Sequence, residues 1–120
     1  MSIKTVLQEI VESVDGALGA VVMGYDGIPL DEYIPHGSPI DLQVLSVEYA
    51  TVLKEVRKAV DVLGSGVMEE ISINTDMSRV IIRVLDDDLF VILALLLDGN
   101  YGKGRYVLRQ QSSRILEILQ

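Results

Sequence analysis

Leu89-Phe-Val-Ile-Leu-Ala-Leu-Leu-Leu97 carries no polar side chain at any position. A strand with one wet face alternates apolar and polar residues. This one does not, so it reads as a strand with helices over both of its faces. It is about half of the roughly 20 residues a helix needs to cross a bilayer, which argues against a membrane span. Ala17 to Met23 is apolar throughout in the same way. Two such strands belong side by side at the centre of a sheet, and the rest of the chain is arranged outward from them.

Arg79 to Leu85 alternates, with Val80, Ile82 and Val84 on one face and Ile81, Arg83 and Leu85 on the other. Asp86-Asp87-Asp88 turns it into the central strand, and Thr75-Asp76 joins it to a preceding strand, Val67 to Asn74. Tyr25-Asp26-Gly27 is a hairpin signal between Ala17–Met23 and a return strand, Ile28 to Ile34. Strands joined by short turns pair antiparallel. Pro29 cannot donate a ladder hydrogen bond, which assigns Ile28–Ile34, with its Asp31 and Glu32, to one edge. Val67–Asn74 forms the other. It has no proline, so it can accept a further strand, and self-pairing in a dimer is the natural way to protect it. Glu69 and Glu70 oppose this, because like charges would meet across a twofold axis.

Three helices complete the chain. Ile3, Val6, Leu7, Ile10, Val11 and Val14 follow helical spacing, with Ser2 as N-cap and Asp15-Gly16 as terminator. Ser38, Pro39 and Asp41 predict a second helix start, and Gly64 its end after about 24 residues, roughly 36 Å. Its expected core stripe is Leu42, Leu45, Tyr49, Val52, Leu53, Val56, Ala59, Val60 and Leu63. The opposite face is not cleanly polar: Ile40, Val44, Val47, Thr51 and Val62 interrupt Lys54, Glu55 and Lys58, and something must cover them. The last helix is predicted over 105–119. The expected fold is therefore α+β, in the order α-β-β-α-β-β-β-α. A five-stranded, mainly antiparallel sheet carries the long middle helix on one face and the terminal helices on the other, in a single domain over residues 1–120.

The 120 residues carry 10 Lys+Arg against 18 Asp+Glu, a formal charge of -8. Such a surface repels phosphate backbones and anionic membranes, so neither nucleic acid nor membrane insertion is expected. The absence of cysteine removes disulfides, thiolate metal sites and a cysteine nucleophile, and suits a reducing cytoplasm. The start Met1-Ser2-Ile3-Lys4 lacks the basic and apolar regions of a signal peptide.

No constellation argues for catalysis. Gly99 to Gly104 opens a helix, yet Gly102-Lys103 has Leu97 where a phosphate loop needs its first glycine, and Gly104 in place of Ser or Thr. Asp86-Asp87-Asp88 lacks the ligand spacing of a calcium loop. His36, the only histidine, sits between Pro35 and Gly37 with no nucleophile elbow nearby. Asp31 and Glu32, as neighbours on a strand, point to opposite faces. No cofactor or metal is expected.

Gly19-Ala-Val-Val-Met-Gly-Tyr-Asp-Gly-Ile-Pro-Leu30, the long helix ending Leu63-Gly64, Glu70-Ile-Ser-Ile-Asn74, Arg79–Leu85, Leu89-Phe-Val-Ile-Leu93 and the Asn100-Tyr-Gly102 entry to the last helix stand in a telling order. Together they resemble the roadblock (dynein light chain) family, and within it the bacterial MglB-like branch, over essentially the whole chain. The resemblance implies a homodimer whose edge strands join into one sheet, with the two long helices side by side as a platform for a small Ras-like GTPase. It also implies processes of the kind that branch serves, cell polarity and gliding motility. MglB-like members stimulate GTP hydrolysis by rearranging the GTPase switches; other members are passive adaptors. Carried onto this sequence, the GTPase-binding surface is Val44, Val47, Thr51, Lys54 and Lys58. The dimer interface is Val67, Glu69, Ile71, Ser72, Ile73 and Val62. Lys54 and Lys58 would meet acidic groups on the partner. Arg79 or Arg57 could instead supply an arginine in trans. The chain stops at Gln120, so a function that depends on a C-terminal extension is not expected. The leading reading is a non-catalytic cytoplasmic homodimer that modulates a GTPase cycle. Its rivals are a structural adaptor of the same fold and a small-ligand sensor.

Overall fold

The two unbroken apolar strands do sit side by side. The computed structural model describes residues 1–120 and contains α1 (Ile3–Ser13), β1 (Ala17–Gly24), β2 (Pro29–Tyr33), α2 (Leu42–Leu63), β3 (Glu70–Asn74), β4 (Ser78–Val84), β5 (Leu89–Leu96) and α3 (Tyr101–Leu119). The five strands form one sheet in the order β2-β1-β5-β4-β3. Every neighbouring pair is antiparallel. β1 and β5 are central, and β2 and β3 are the edges, as the turn spacing and Pro29 require. A register shift between Val22 and Met23 accommodates the proline edge.

Side-chain alternation splits the core into two layers. Val21, Met23, Val80, Ile82, Phe90 and Ile92 point to α2 and pack with Leu42, Ala50 and Leu53. Ala20, Val22, Ile81, Val91, Leu93 and Leu95 point the other way, to Val6, Leu7, Ile10 and Val11 of α1 and Val107, Leu108 and Ile115 of α3. Each fully buried aliphatic side chain contributes on the order of 1.5–3 kcal/mol relative to exposure. No helix is long and apolar enough to cross a membrane.

The strand ends differ from the sequence expectation by a residue or so, and the ends of α1, α2, α3 and β3 differ in ways that matter. α2 starts at Leu42 and spans 22 residues: Asp41 is its N-cap, its side chain accepting from the Val44 amide. Ser38 is instead engaged with the backbone of Ile40, so Ser38-Pro39-Ile40 is a turn outside the helix. α3 starts at Tyr101 because Asn100 caps it, accepting from the Lys103 amide at 3.1 Å. Gly104 then allows α3 to lie close on the sheet, since a Cβ there would sit 3.1 Å from Ile81 and 3.3 Å from Leu93. β3 begins only at Glu70. Val67 to Glu69 is an approach to it, in which the Glu69 carbonyl accepts from the Val84 amide at 2.9 Å. α1 ends at Ser13 with Val14 extended, so Gly16 is not its cap.

Gly16 serves a different purpose. Its carbonyl accepts from the Leu96 amide at 2.8 Å, and the Asp15 carbonyl accepts from the Asn100 amide at 2.9 Å. These two bonds clip the α1–β1 turn to the β5–α3 junction. Gly16 has φ +82°, and a Cβ on it would lie 2.5 Å from the Gly99 Cα. Both the backbone conformation and the contact exclude a side chain. Gly16→Ala is expected to lower unfolding stability by at least about 1–2 kcal/mol, read as a reduced midpoint in urea denaturation.

Candidate functional site

α2 approaches the sheet through small residues. Its fully buried positions are Leu42, Ser46, Ala50 and Leu53. The Ser46 hydroxyl is satisfied within the helix, donating to the Leu42 carbonyl at 2.6 Å. The core stripe expected from the sequence is therefore displaced around the helix: it omitted the buried Ser46 and Ala50 and included Val52, Ala59 and Leu63, which are exposed. Two apolar or mixed faces of the helix remain uncovered.

The first is turned outward along the β2 flank of the helix, where Val47 still borders the sheet. Val44, Val47, Thr51, Lys54 and Lys58 recur at spacings of three and four residues, and all are exposed, Val44 by 59% and Val47 by 47%. Val62 continues this stripe at 86% exposure. Lys58 is paired to Glu55 at 3.2 Å, an exposed contact worth tenths of a kcal/mol at most. Lys54 has no ion-pair partner. Beside this stripe, Gln43 and Val47 line a cavity of about 260 Å³ with Val21, Met23, Pro29 and Glu32. Gln43 donates to the Glu32 carboxylate at 2.8 Å, so this flank of α2 leans toward β2.

The second face lies on the opposite flank, toward β4 and β3. Leu45, Tyr49, Val52, Val56, Ala59 and Leu63 recur at 4-3-4-3-4, the spacing of a coiled-coil seam. Leu45, Tyr49 and Val56 are half-buried, while Leu63 is 76% exposed. Helical periodicity alone had placed these residues in the core. Along a single helix a 3.5-residue seam and a 3.6-residue core stripe overlap, and only the alternation of fours and threes separates them.

The residues expected at the dimer interface divide between the two faces of the sheet. Ile71 and Ile73 are half-buried on the α2 side. Ser72 faces α3, donating to the Val80 carbonyl at 3.3 Å and accepting from the Tyr101 hydroxyl at 2.7 Å. Val67 is exposed in the approach to β3, and Val62 belongs to the outer stripe of α2 rather than to its seam. Glu69 is paired with Arg83 at 3.5 Å and Glu70 with Arg105 at 2.6 Å. Each acid thus carries its own cation, which weakens the like-charge objection to self-pairing. The outer edge of β3 faces no strand.

At the C-terminal end of α2, Arg57 lies 4.8 Å over the Tyr25 ring and donates to the Asp87 carbonyl. Tyr25 meets Phe90 edge-on, with ring centroids 5.2 Å apart. These side chains border a cavity of about 250 Å³ that Asp61, Met68 and Arg83 also line. Burial pushes the Tyr25 hydroxyl pKa up, and the Arg57 cation opposes this only in part. Arg57 is thus tethered. Arg79 alternates with Ile81 and Arg83 on the sheet face away from α2.

The remaining sequence features have structural duties. The Asp86 carboxylate accepts from the Asp88 and Leu89 amides at 2.8 and 2.9 Å, closing the β4–β5 hairpin. The amide of Lys103, which a phosphate at the start of α3 would use, is taken by Asn100. His36 lies at a shallow cavity with Ala17, Leu18, Pro35, Gly37 and Ser38. No group of three or more His, Asp or Glu converges to hold a metal ion.

A family model of the Roadblock/LC7 domain matches residues 3–97. The crystal structure of MglC from Myxococcus xanthus is 40% identical, covers 96% of this chain and 97% of its own, and superposes with a TM-score of 0.70. The gliding protein MglB from Thermus thermophilus is 17% identical, with 95% and 85% coverage and a TM-score of 0.83. A Roadblock/LC7 domain from Streptomyces avermitilis is 12% identical, with 99% and 98% coverage and a TM-score of 0.85. At those identities the last two show the shared fold alone. No curated protein matches this chain.

The folded chain holds the Tyr25 proton more tightly than the unfolded chain, whose tyrosine titrates near 10.0. Its contribution is therefore complete below that pH and is lost as pH rises through the folded-state value. Tyr25→Phe keeps the ring contacts, and is expected to show a smaller fall in urea midpoint than the parent between about pH 9 and 11.

Proposed function

Because this chain belongs to the Roadblock/LC7 domain family, we propose that it works as a homodimeric, non-catalytic docking platform for a small Ras-like GTPase, whose nucleotide cycle it modulates. The observation that carries the reading is the pair of uncovered faces on α2. The 4-3 seam of Leu45, Tyr49, Val52, Val56, Ala59 and Leu63 supports packing against the same helix of a second copy. The open edge of β3, with Ile71 and Ile73 half-covered above it, supports strand pairing across the same twofold axis. Val67 and Glu69 would flank that pairing, Ser72 would lie beneath it, and Val62 would border the helix pair.

With the seam consumed by the partner copy, the outer stripe of α2 stays open. Val44, Val47 and Thr51 offer apolar contact, and Lys54 and Lys58 offer cations on a chain of formal charge -8. A GTPase binding there would be acted on through its own switch segments. Arg57, on the same helix, is held by Tyr25 and Asp87.

Two substitutions separate the faces. Val52→Glu places a charge in the seam and is expected to give monomers in sedimentation equilibrium while far-UV circular dichroism is retained. Val47→Asp is expected to leave the dimer intact and to reduce GTPase binding at least about tenfold, roughly the worth of one buried interface anchor. Single-turnover GTP hydrolysis by a co-encoded Ras-like GTPase should change on addition of the parent protein and not of Val47→Asp. Binding with unchanged turnover would assign a structural adaptor instead, and monomers from Val47→Asp would make the outer stripe a dimer contact.

A further inference from the structure

The chain is acidic, yet its charge is unevenly placed. α3 holds four of the ten lysines and arginines, Lys103, Arg105, Arg109 and Arg114, and only one of the eighteen acids, Glu117. β4 adds Arg83 on the same side of the sheet, where α3 packs. Between α3 and the β3–β4 edge runs a groove of about 250 Å³, lined by Glu70, Arg83, Gly102, Arg105, Tyr106 and Arg109. This side of the molecule is opposite to α2.

The groove already binds one carboxylate. Arg105 donates to Glu70 Oε2 through Nε at 2.8 Å and through Nη2 at 2.6 Å. Arg109 stands one helical turn further on, exposed, with neither a hydrogen bond nor an ion pair. The Tyr106 ring is 63% exposed beside it. Nothing lies within 4 Å of where a Cβ of Gly102 would be, so the groove is open at that end. An exposed guanidinium next to an occupied one, with an aromatic ring alongside, suits a second carboxylate on an extended chain.

We infer that this α3 groove is a second docking surface, and that its occupant is an acidic segment of a partner protein, with a carboxylate on Arg109, the one groove-lining guanidinium without an acidic partner. A polyanion such as DNA or an anionic membrane spans many Debye lengths and meets the repulsion of the whole acidic chain. A short acidic peptide meets mainly the local cations. The surface is separate from the outer stripe of α2, because it lies on the other face of the sheet and needs no GTPase.

The probe is a fluorescein-labelled deca-glutamate peptide, followed by fluorescence anisotropy on the full chain. Saturable binding is expected at about 50 mM salt, weakening steeply by about 300 mM. Arg109→Glu should lower affinity at least about tenfold, the size of effect expected from reversing an unpaired docking charge. Arg109→Lys should retain part of it, and Val47→Asp on the opposite face should have no effect. Arg109 has no intramolecular partner, so circular dichroism of Arg109→Glu should match the parent. Absence of binding, or equal binding by Arg109→Glu, overturns the inference. So does tighter, Arg109-dependent binding of single-stranded DNA or phosphatidylserine vesicles.

Discussion

The burial of β1 and β5 on both faces constrains everything else in this molecule. Two strands with no polar side to offer must lie inside a three-layer stack, and the layers available are unequal. α1 and α3 together cover one face of the sheet. The other face has α2 alone. Five strands at about 4.8 Å spacing make a sheet roughly 20 Å wide, whereas one helix is about 10 Å across. One helix cannot roof that width. It covers the centre, through Leu42, Ser46, Ala50 and Leu53, and leaves Ile71 and Ile73 near the β3 edge only half-covered. The uncovered apolar surface on α2 and β3 is thus a consequence of layer geometry, and the sequence of α2 meets it with a seam able to pack against another helix.

The two faces of the sheet carry different chemistry for the same reason. Where two helices share the work, their outward sides are free to be polar, and α3 gathers arginines around Tyr106. Arg83 and Arg105 also neutralise Glu69 and Glu70 at the open edge, so the acids that would forbid strand pairing are tied down from below. Where one helix works alone, its outward side keeps valines. This domain keeps exposed valines on its α2 side and the cations of α3 on the other, separated by a sheet whose centre is closed to solvent.

Much of the fold was legible from local pattern. Leu89–Leu97 and Ala17–Met23 put two strands at the centre, Pro29 put a third at an edge, and short turns made the pairing antiparallel. Helix ends were less legible, because several residues competed to cap them. Ser38 and Asp41 are both good N-caps, and only the tertiary path of the Pro35–Ile40 turn decided for Asp41. Likewise the last helix, expected from 105, begins at Tyr101, because Asn100 caps it and Gly104 fits against Ile81 and Leu93.

For the candidate surfaces the division is sharper. The outer stripe of Val44, Val47, Thr51, Lys54 and Lys58 follows from helical periodicity alone, since the spacing of side chains around a helix is a local property. Which apolar flank of α2 faces the core and which faces solvent is not local. It depends on how the helix is rolled on the sheet, and that roll is fixed by contacts of Leu42, Ala50 and Leu53 with strands from both ends of the chain. The α3 groove belongs to the same class, because Arg83 and Arg109 become neighbours only when β4 and α3, separate in sequence, pack on one face. Sequence determined the centre of the sheet and the pattern along each element. Tertiary packing decided which patterned faces were left over.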